Sequence, residues 1–202
     1  MNTNKEPELE KNNSGSKTKI TLKNITKSFS GITVLNNINL EFTSGEIHGL
    51  VGQNGAGKST LGKIIGGHYK LSSGNIFLND NLIKKWSSKI ALDNGIAMIH
   101  QELALVPGMT VYDNIFLGIE ENYYGIIGKQ NTKLFNDLDQ KIGFNLDPNQ
   151  KVSSLRIADQ QKVEIIRALA RNAKVIIMDE PTSSLTNDEV IKLHDLMHKL
   201  KR

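Results

Sequence analysis

Apolar and polar positions alternate through "ITLKNITKSFSG" (20–31) and "ITVLNNINLEF" (32–42), two β-branched stretches separated by a glycine turn at Gly31. Period-two patterning across a short turn predicts a pair of antiparallel strands. "GEIHGLVG" (45–52) is a compact apolar run and predicts a buried strand leading into a glycine-rich turn. The pattern then changes period. In "KSTLGKIIGGHY" (58–69), Leu61, Ile64 and Ile65 recur at helical spacing, and Gly66-Gly67 predicts the stop. "SGNIFLND" (73–80) and "GIAMIHQ" (95–101) predict two further strands. From about 107 to 170 the texture is helical, broken by "GIIGKQ" and "GFNLDPNQ", which predicts a helical subdomain inserted into the sheet. "KVIIMDEP" (174–181) predicts a return to a buried strand, ended by Pro181. In the final "NDEVIKLHDLMHKLKR", Val190, Leu193, Met197 and Leu200 share one helical face. Asp188 and Glu189 stand near its start and Lys199 near its end, as the helix dipole favours. No internal repeat is visible.

Composition narrows this picture little. The chain has 202 residues, 38% hydrophobic and 23% charged, enough for one or two domains with a real core. The 25 basic against 21 acidic residues leave a net charge of +4, too mild and dispersed to indicate nucleic acid, and none is expected as a partner. Cysteine is absent, so disulfides, thiolate metal sites and cysteine nucleophiles are excluded. No apolar run reaches the roughly 20 residues that cross a bilayer. Residues 1–18 lack the apolar core of a secretory signal and are expected to be a disordered polar leader, with the ordered domain running over 19–202.

The chemistry begins at "GQNGAGKST". Gly52, Gly55 and Gly57 permit backbone conformations in which successive amides point inward, a cradle for phosphates formed by Gly52, Gln53, Asn54, Gly55, Ala56, Gly57, Lys58, Ser59 and Thr60. Lys58 would reach the β- and γ-phosphates of a nucleotide such as ATP, Ser59 would bind Mg2+, and the following helix adds the positive end of its dipole. The spacing G-x-x-x-x-G-K-S also arises by chance. A preceding apolar strand and a following helix make chance a poor explanation. "VIIMDE" supplies a partner element: Asp179 at a strand tip would bind Mg2+, directly or through water, and Glu180 could act as general base on an attacking water. A core strand ending in two solvated acids is the plainer alternative.

Other constellations are weaker. "HDLMH" sets His194 and His198 four apart on one helix face, as in some zinc sites, but no third ligand is evident and a solvated face is the simpler reading. Trp86, the single tryptophan, is expected to pack at an edge.

The order of phosphate loop, "IHQE", "SSLRIADQQKVEI" and "VIIMDEPTSSLT" resembles the ATP-binding subunit of an ABC transporter, from Lys19 to Arg202. "GIAMIHQELALVPGMTVYDNIFLG" is most similar to bacterial importers of ribose, galactose and related monosaccharides, in which two ATPase halves are fused, and to their first half. The resemblance implies an α/β fold: a P-loop NTPase core with a mixed sheet flanked by helices, an amino-terminal antiparallel β subdomain and an inserted α-helical subdomain. It also implies roles. Phe29 would stack under adenine, although an ordinary core or turn aromatic would look the same. Gln101 would contact Mg2+ and the lytic water, and "SSLT" (183–186) would touch the opposing half. Partners would be integral membrane permease subunits, a second ATP-binding half and, indirectly, a periplasmic or extracellular sugar-binding protein. The place would be the cytoplasmic face of the membrane, bound peripherally. An ABC ATPase of DNA repair or translation is a second possibility; the absence of sustained heptads between Lys58 and Leu155 counts against the DNA-repair version.

Two departures stand out. The family signature Leu-Ser-Gly-Gly-Gln is replaced by Leu155, Arg156, Ile157, Ala158 and Asp159, with the serine gone and Asp159 adding charge that Arg156 could offset. The family also continues to a further strand and a switch histidine, whereas this sequence ends at "KLKR", so a domain incomplete at its C-terminus is expected. A nucleotide-binding remnant or regulatory partner that does not hydrolyse is the alternative to an ATPase.

Overall fold

In the computed structural model, the structure describes residues 18–119, 122–123, 126–127, 132–182 and 185–201. The two alternating stretches form β1 (Lys19–Phe29) and β2 (Ile32–Thr43), antiparallel and joined at Ser30-Gly31, with Gly31 at φ 84°. β3 (Ser73–Leu78) lies on the other side of β1, and the two-residue β4 (Asn81–Leu82) completes a sheet of order β2-β1-β3-β4. Alternation, reset by an irregularity between Leu22 and Ile25 where Asn24 holds φ 54°, turns Ile20, Leu22, Ile25 and Ile76 to the inward face, where each is almost wholly buried. That face packs on Leu61, Ile64 and Ile65 of α1 (Lys58–Ile65).

α1 ends where the glycine pair predicts. Gly67 adopts φ +76°, and a Cβ there would lie 2.3 Å from the Ser87 carbonyl carbon. Trp86 closes the same end, its indole Nε1–H donating to the Ile64 and Ile65 carbonyls at 2.9 and 3.1 Å. It therefore packs at an edge and caps the last turn of the helix, sharing the Ile64 carbonyl with the Gly67 N–H and adding a donor at Ile65. α2 (Ser88–Asp93), capped by the Ser87 hydroxyl, leads into β5 (Ile96–Ile99).

β5 pairs in parallel with β8 (Val175–Met178), in register Ile96↔Val175 to Ile99↔Met178. Between them in the chain come α3 (Val111–Phe116), the short hairpin β6 (Asn122–Tyr123) and β7 (Ile126–Ile127), α4 (Thr132–Ile142), a 3-10 turn at Val152–Ser154 and α5 (Ile157–Ala170). Helix α6 (Asn187–Leu200) follows β8. Val111, Ile115 and Phe116 of α3, Phe135 and Ile142 of α4, and Val163 and Ile166 of α5 form a second core with Leu193 and Leu196 of α6. Leu196 is thus a core position that the spacing missed, while Met197 and Leu200 sit at the core margin. Thr186 and Glu189 cap α6 reciprocally, and these hydrogen bonds hold the Glu189 carboxyl below its usual range.

Three sequence expectations need correction. "GEIHGLVG" enters no strand ladder: Ile47 and Leu50 are about two-fifths exposed and Val51 is 97% exposed. Its polar positions bind locally instead, Glu46 to His48 at 3.1 Å and the His48 ring edge-on to Phe42. With Gly45, Gly49 and Gly52 interleaved, the segment has little side-chain area to hold against a neighbour. The residues of β8 are half-buried rather than buried, because β5 is the single strand beside it among the described residues. Thr18, assigned to the leader, is buried and exchanges hydrogen bonds with Ser44; residues 1–17 lie outside the described residues.

Gly67→Ala is expected to lower the unfolding free energy by about 3 kcal/mol, through backbone overlap and an unfavourable positive φ. A urea denaturation midpoint checks this.

Candidate functional site

The glycine-rich turn runs directly into α1, with Gly57 in the cap position at φ +89° and Gly55 at φ +84°. A side chain at Gly57 would lie 2.7 Å from Leu35 Cδ2, so close packing of the turn on β2 requires glycine there. Residues 52–56 are exposed, and Lys58, Ser59 and Thr60 are half-buried. The Lys58 ammonium folds back over the turn and donates to the Gly52 and Gln53 carbonyls at 2.8 and 2.9 Å. An open groove lies between β2 and this turn, lined in part by Leu35, Asn37, Leu50, Gly57 and Lys58.

Ser59 Oγ donates to Asp179 Oδ1 at 2.7 Å. This bond brings the first turn of α1 to the end of β8. Asp179 continues the parallel ladder, its N–H donating to the Ile99 carbonyl at 3.2 Å, which sets the two strand ends level. His100 and Gln101 therefore emerge beside Asp179 and Glu180, and all four line one small cavity with Gln161 and Pro181. Glu180 holds φ 47°, a left-handed backbone that turns the chain sharply after the strand. Gln161 of α5 donates from its side-chain amide to the Pro181 carbonyl at 3.0 Å and fixes that turn. Nothing in the sequence signalled Gln161, because its partner lies 20 residues away on another element.

The hard oxygens of Ser59 and Asp179 are the donor types that Mg2+ takes, and they already meet at hydrogen-bond distance. The residues present fit that ion. Among the described residues there is no group of three or more His, Asp or Glu that could hold a metal, and His194 and His198 are exposed on α6.

Phe29 ends β1 with its ring 38% exposed, edge-on to Tyr69 at 5.3 Å, and with Lys27 Nζ 4.5 Å from its centroid. It lies outside the cluster of contacts formed by Lys58, Ser59 and Asp179. Leu155 and Arg156 precede α5, and Ile157 opens it half-exposed. Asp159 pairs with Lys162, one turn on, so its charge is offset within the helix. Of "SSLT", Ser183 and Ser184 lie outside the described residues, and Thr186 is the cap of α6.

The His68 ring stands edge-on to His100 at 4.7 Å and links the exit of α1 to the residue before Gln101. Burial lowers the His68 pKa, and the nearby His100 and Lys63 lower it further.

An antiparallel sheet packed on α1, a parallel pair ending in acids and a helical insert together define a P-loop NTPase fold of the ATP-binding cassette type. Solved structures agree. An ATP-binding cassette of an ABC transporter in its ADP conformation superposes with a TM-score of 0.80 at 25% identity, over 91% of this chain and 77% of the other. A dimeric cassette in a post-hydrolysis state, bound to ADP and Pi, gives 0.75 at 28% identity, over 91% and 83%.

A sequence profile of the ABC transporter family matches residues 35–183, and the chain belongs to that family. It is 44% identical to the arabinose import ATP-binding protein of Paraburkholderia xenovorans over 88% of this chain and 35% of that protein. Identity to the galactose/methyl galactoside import ATP-binding protein of Clostridium perfringens is 42%, over 90% of this chain and 35% of that protein. The chain spans about a third of the length of these relatives.

Ser59→Ala is expected to lower stability by about 1 kcal/mol in metal-free buffer, by leaving the half-buried Asp179 one donor short; chemical denaturation reads this. His68 sits below its ordinary value of 6.5, so the unfolded chain takes up its proton first. Stability from this contact is full above that pH and is lost as pH falls through the lower folded value. In thermal melts between pH 8 and 5, His68→Gln is expected to flatten that part of the pH dependence.

Proposed function

We propose that the chain is the ATP-binding and ATP-hydrolysing part of an ABC importer of a monosaccharide. The observation that carries this reading is the Ser59–Asp179 bond, which joins the phosphate loop to the acidic strand end at hydrogen-bond distance. The names of the relatives, import proteins for arabinose and galactose, support the sugar class.

In this reading the amides of the 52–57 turn, exposed over 52–56, and the first turn of α1 receive the phosphates. Lys58 leaves the Gly52 and Gln53 carbonyls and places its charge on the β- and γ-phosphates. Ser59 and Asp179 would hold Mg2+, which would neutralise phosphate charge when bound. Glu180, set by its backbone turn and by Gln161 beside the end of β5, takes the proton of a water that attacks the γ-phosphorus, and ADP leaves. Gln101 shares that cavity and orients the water. Phe29 offers a half-exposed ring to the adenine.

ATP held between this chain and a second ATP-binding half would draw the two together, and hydrolysis would release them. Integral membrane subunits would convert that motion into import, with a sugar-binding protein delivering substrate and this chain peripheral at the cytoplasmic face. Among the described residues no helix is long and apolar enough to cross a membrane. The first turn of α5 would face the nucleotide of the opposite half with Ile157 and a Lys162-paired Asp159, a poorer anion contact than a serine hydroxyl. That turn favours a second reading in which the assembly binds nucleotide but turns over slowly or not at all.

Lys58→Ala is expected to raise the Kd for Mg-ATP at least tenfold, consistent with loss of a charge-assisted contact worth roughly 1.5–3 kcal/mol; equilibrium titration checks this. Steady-state phosphate release by the parent should exceed that of Glu180→Gln. Equal rates with intact binding would select the non-hydrolysing reading.

A further inference from the structure

Glu164 is buried to 8% exposure on α5, carries a charge and has no part in the chemistry proposed above. Its Oε1 accepts the Ala104 N–H at 3.0 Å. Arg167, one turn along, donates from Nη1 to the Ala104 carbonyl at 2.8 Å and lies 3.5 Å from Glu164 Oε1. Two side chains of one helix thus satisfy both backbone groups of a single residue, as a neighbouring strand would. Val106 is held the same way. Its N–H donates to Asn114 Oδ1 at 2.7 Å, and its carbonyl accepts from Asn114 Nδ2 at 3.1 Å. Asn114 belongs to α3, is 1% exposed, and its amide is locked by a further bond to the Thr110 carbonyl.

Residues 102–106 alternate in exposure, with Leu103 and Leu105 turned to the helical core and Ala104 and Val106 outward. The segment is a strap with strand-like alternation, tied at every second residue to helix side chains instead of to another strand. It starts at Gln101, beside Asp179 and Glu180.

We infer that Glu164 and Arg167, with Asn114, are positioning residues: they fasten the strap to α5 and α3, and through it seat Gln101. The relevance of Gln101 to nucleotide rests on the proposed function; the fastening itself does not.

The test is residue-resolved amide exchange together with the Gln101 side-chain amide signal in NMR, on the full chain without nucleotide. In the parent, the Ala104 and Val106 amides should exchange at least tenfold slower than a free peptide. In Glu164→Ala the Ala104 amide should exchange at least tenfold faster, and the Gln101 side-chain amide should shift toward its free-peptide position. The α3 and α5 amides should stay within about twofold of the parent, as expected for local rather than global opening. Glu164→Gln, which can still accept from Ala104, should restore most of the protection. Arg167→Met gives an independent route should Glu164→Ala fold poorly, with the same Gln101 shift expected.

Fast strap amides in the parent, or an unmoved Gln101 signal in both variants, would overturn the inference. Uniform acceleration across α3, α5 and the strap would reduce these residues to general stability and overturn it equally. Failure of the parent to bind Mg-ATP would remove the proposed function while leaving a protected strap standing.

Discussion

The hydrogen bond from Ser59 to Asp179 spans 120 residues of sequence and is the contact around which the site is built. A hydroxyl at the start of one helix and a carboxylate at the end of one strand can meet only if α1 is seated on its sheet and β8 is held level with β5. The first condition is met by the isoleucine and leucine face of β1 and β3 against Leu61, Ile64 and Ile65. The parallel register, extended by the Asp179 N–H to Ile99, meets the second. Each of those large side chains contributes about 2 kcal/mol on burial, so the polar contact is a consequence of apolar packing.

The helical insert approaches the same point from the other side. α5 carries Gln161 to the turn after Glu180 and Glu164 and Arg167 to the strap after Gln101, three polar reaches from one helix. Val163 and Ile166, between them, bury fully in the helical core. The helix is thus anchored by its apolar stripe and offers its polar stripe to the two segments that leave the parallel strands. Sheet and insert meet at β5 and β8, where the acids emerge.

Much of this was legible beforehand. The β1–β2 hairpin, the start and stop of α1, strands β3 and β5, and the loop with its lysine, serine and distant acid pair followed from period and spacing. Phe29 and Gln101 could be named by resemblance, and the structure gives one an exposed ring and the other a place beside Glu180. "GEIHGLVG" misled because its apolar content matches a buried strand, while strand formation also needs a partner edge that composition does not encode. Arg156 could have offset the charge of Asp159, but it stands at the extended cap position before α5, whereas Lys162 lies within the helix one turn on and takes the contact.

Local rules determined what the sequence could determine alone. Glycines that permit positive φ, a proline after the acids, capping residues and periodic apolar faces act within a few residues, so their effects can be read in order along the chain. Tertiary structure decided which polar groups meet. Gln161 with Pro181, Glu164 with Ala104, and His68 with His100 carry no mark of their partners, because each pairing depends on how whole elements dock. Docking is set by the summed burial of many side chains from distant parts of the chain, and no short stretch contains that sum.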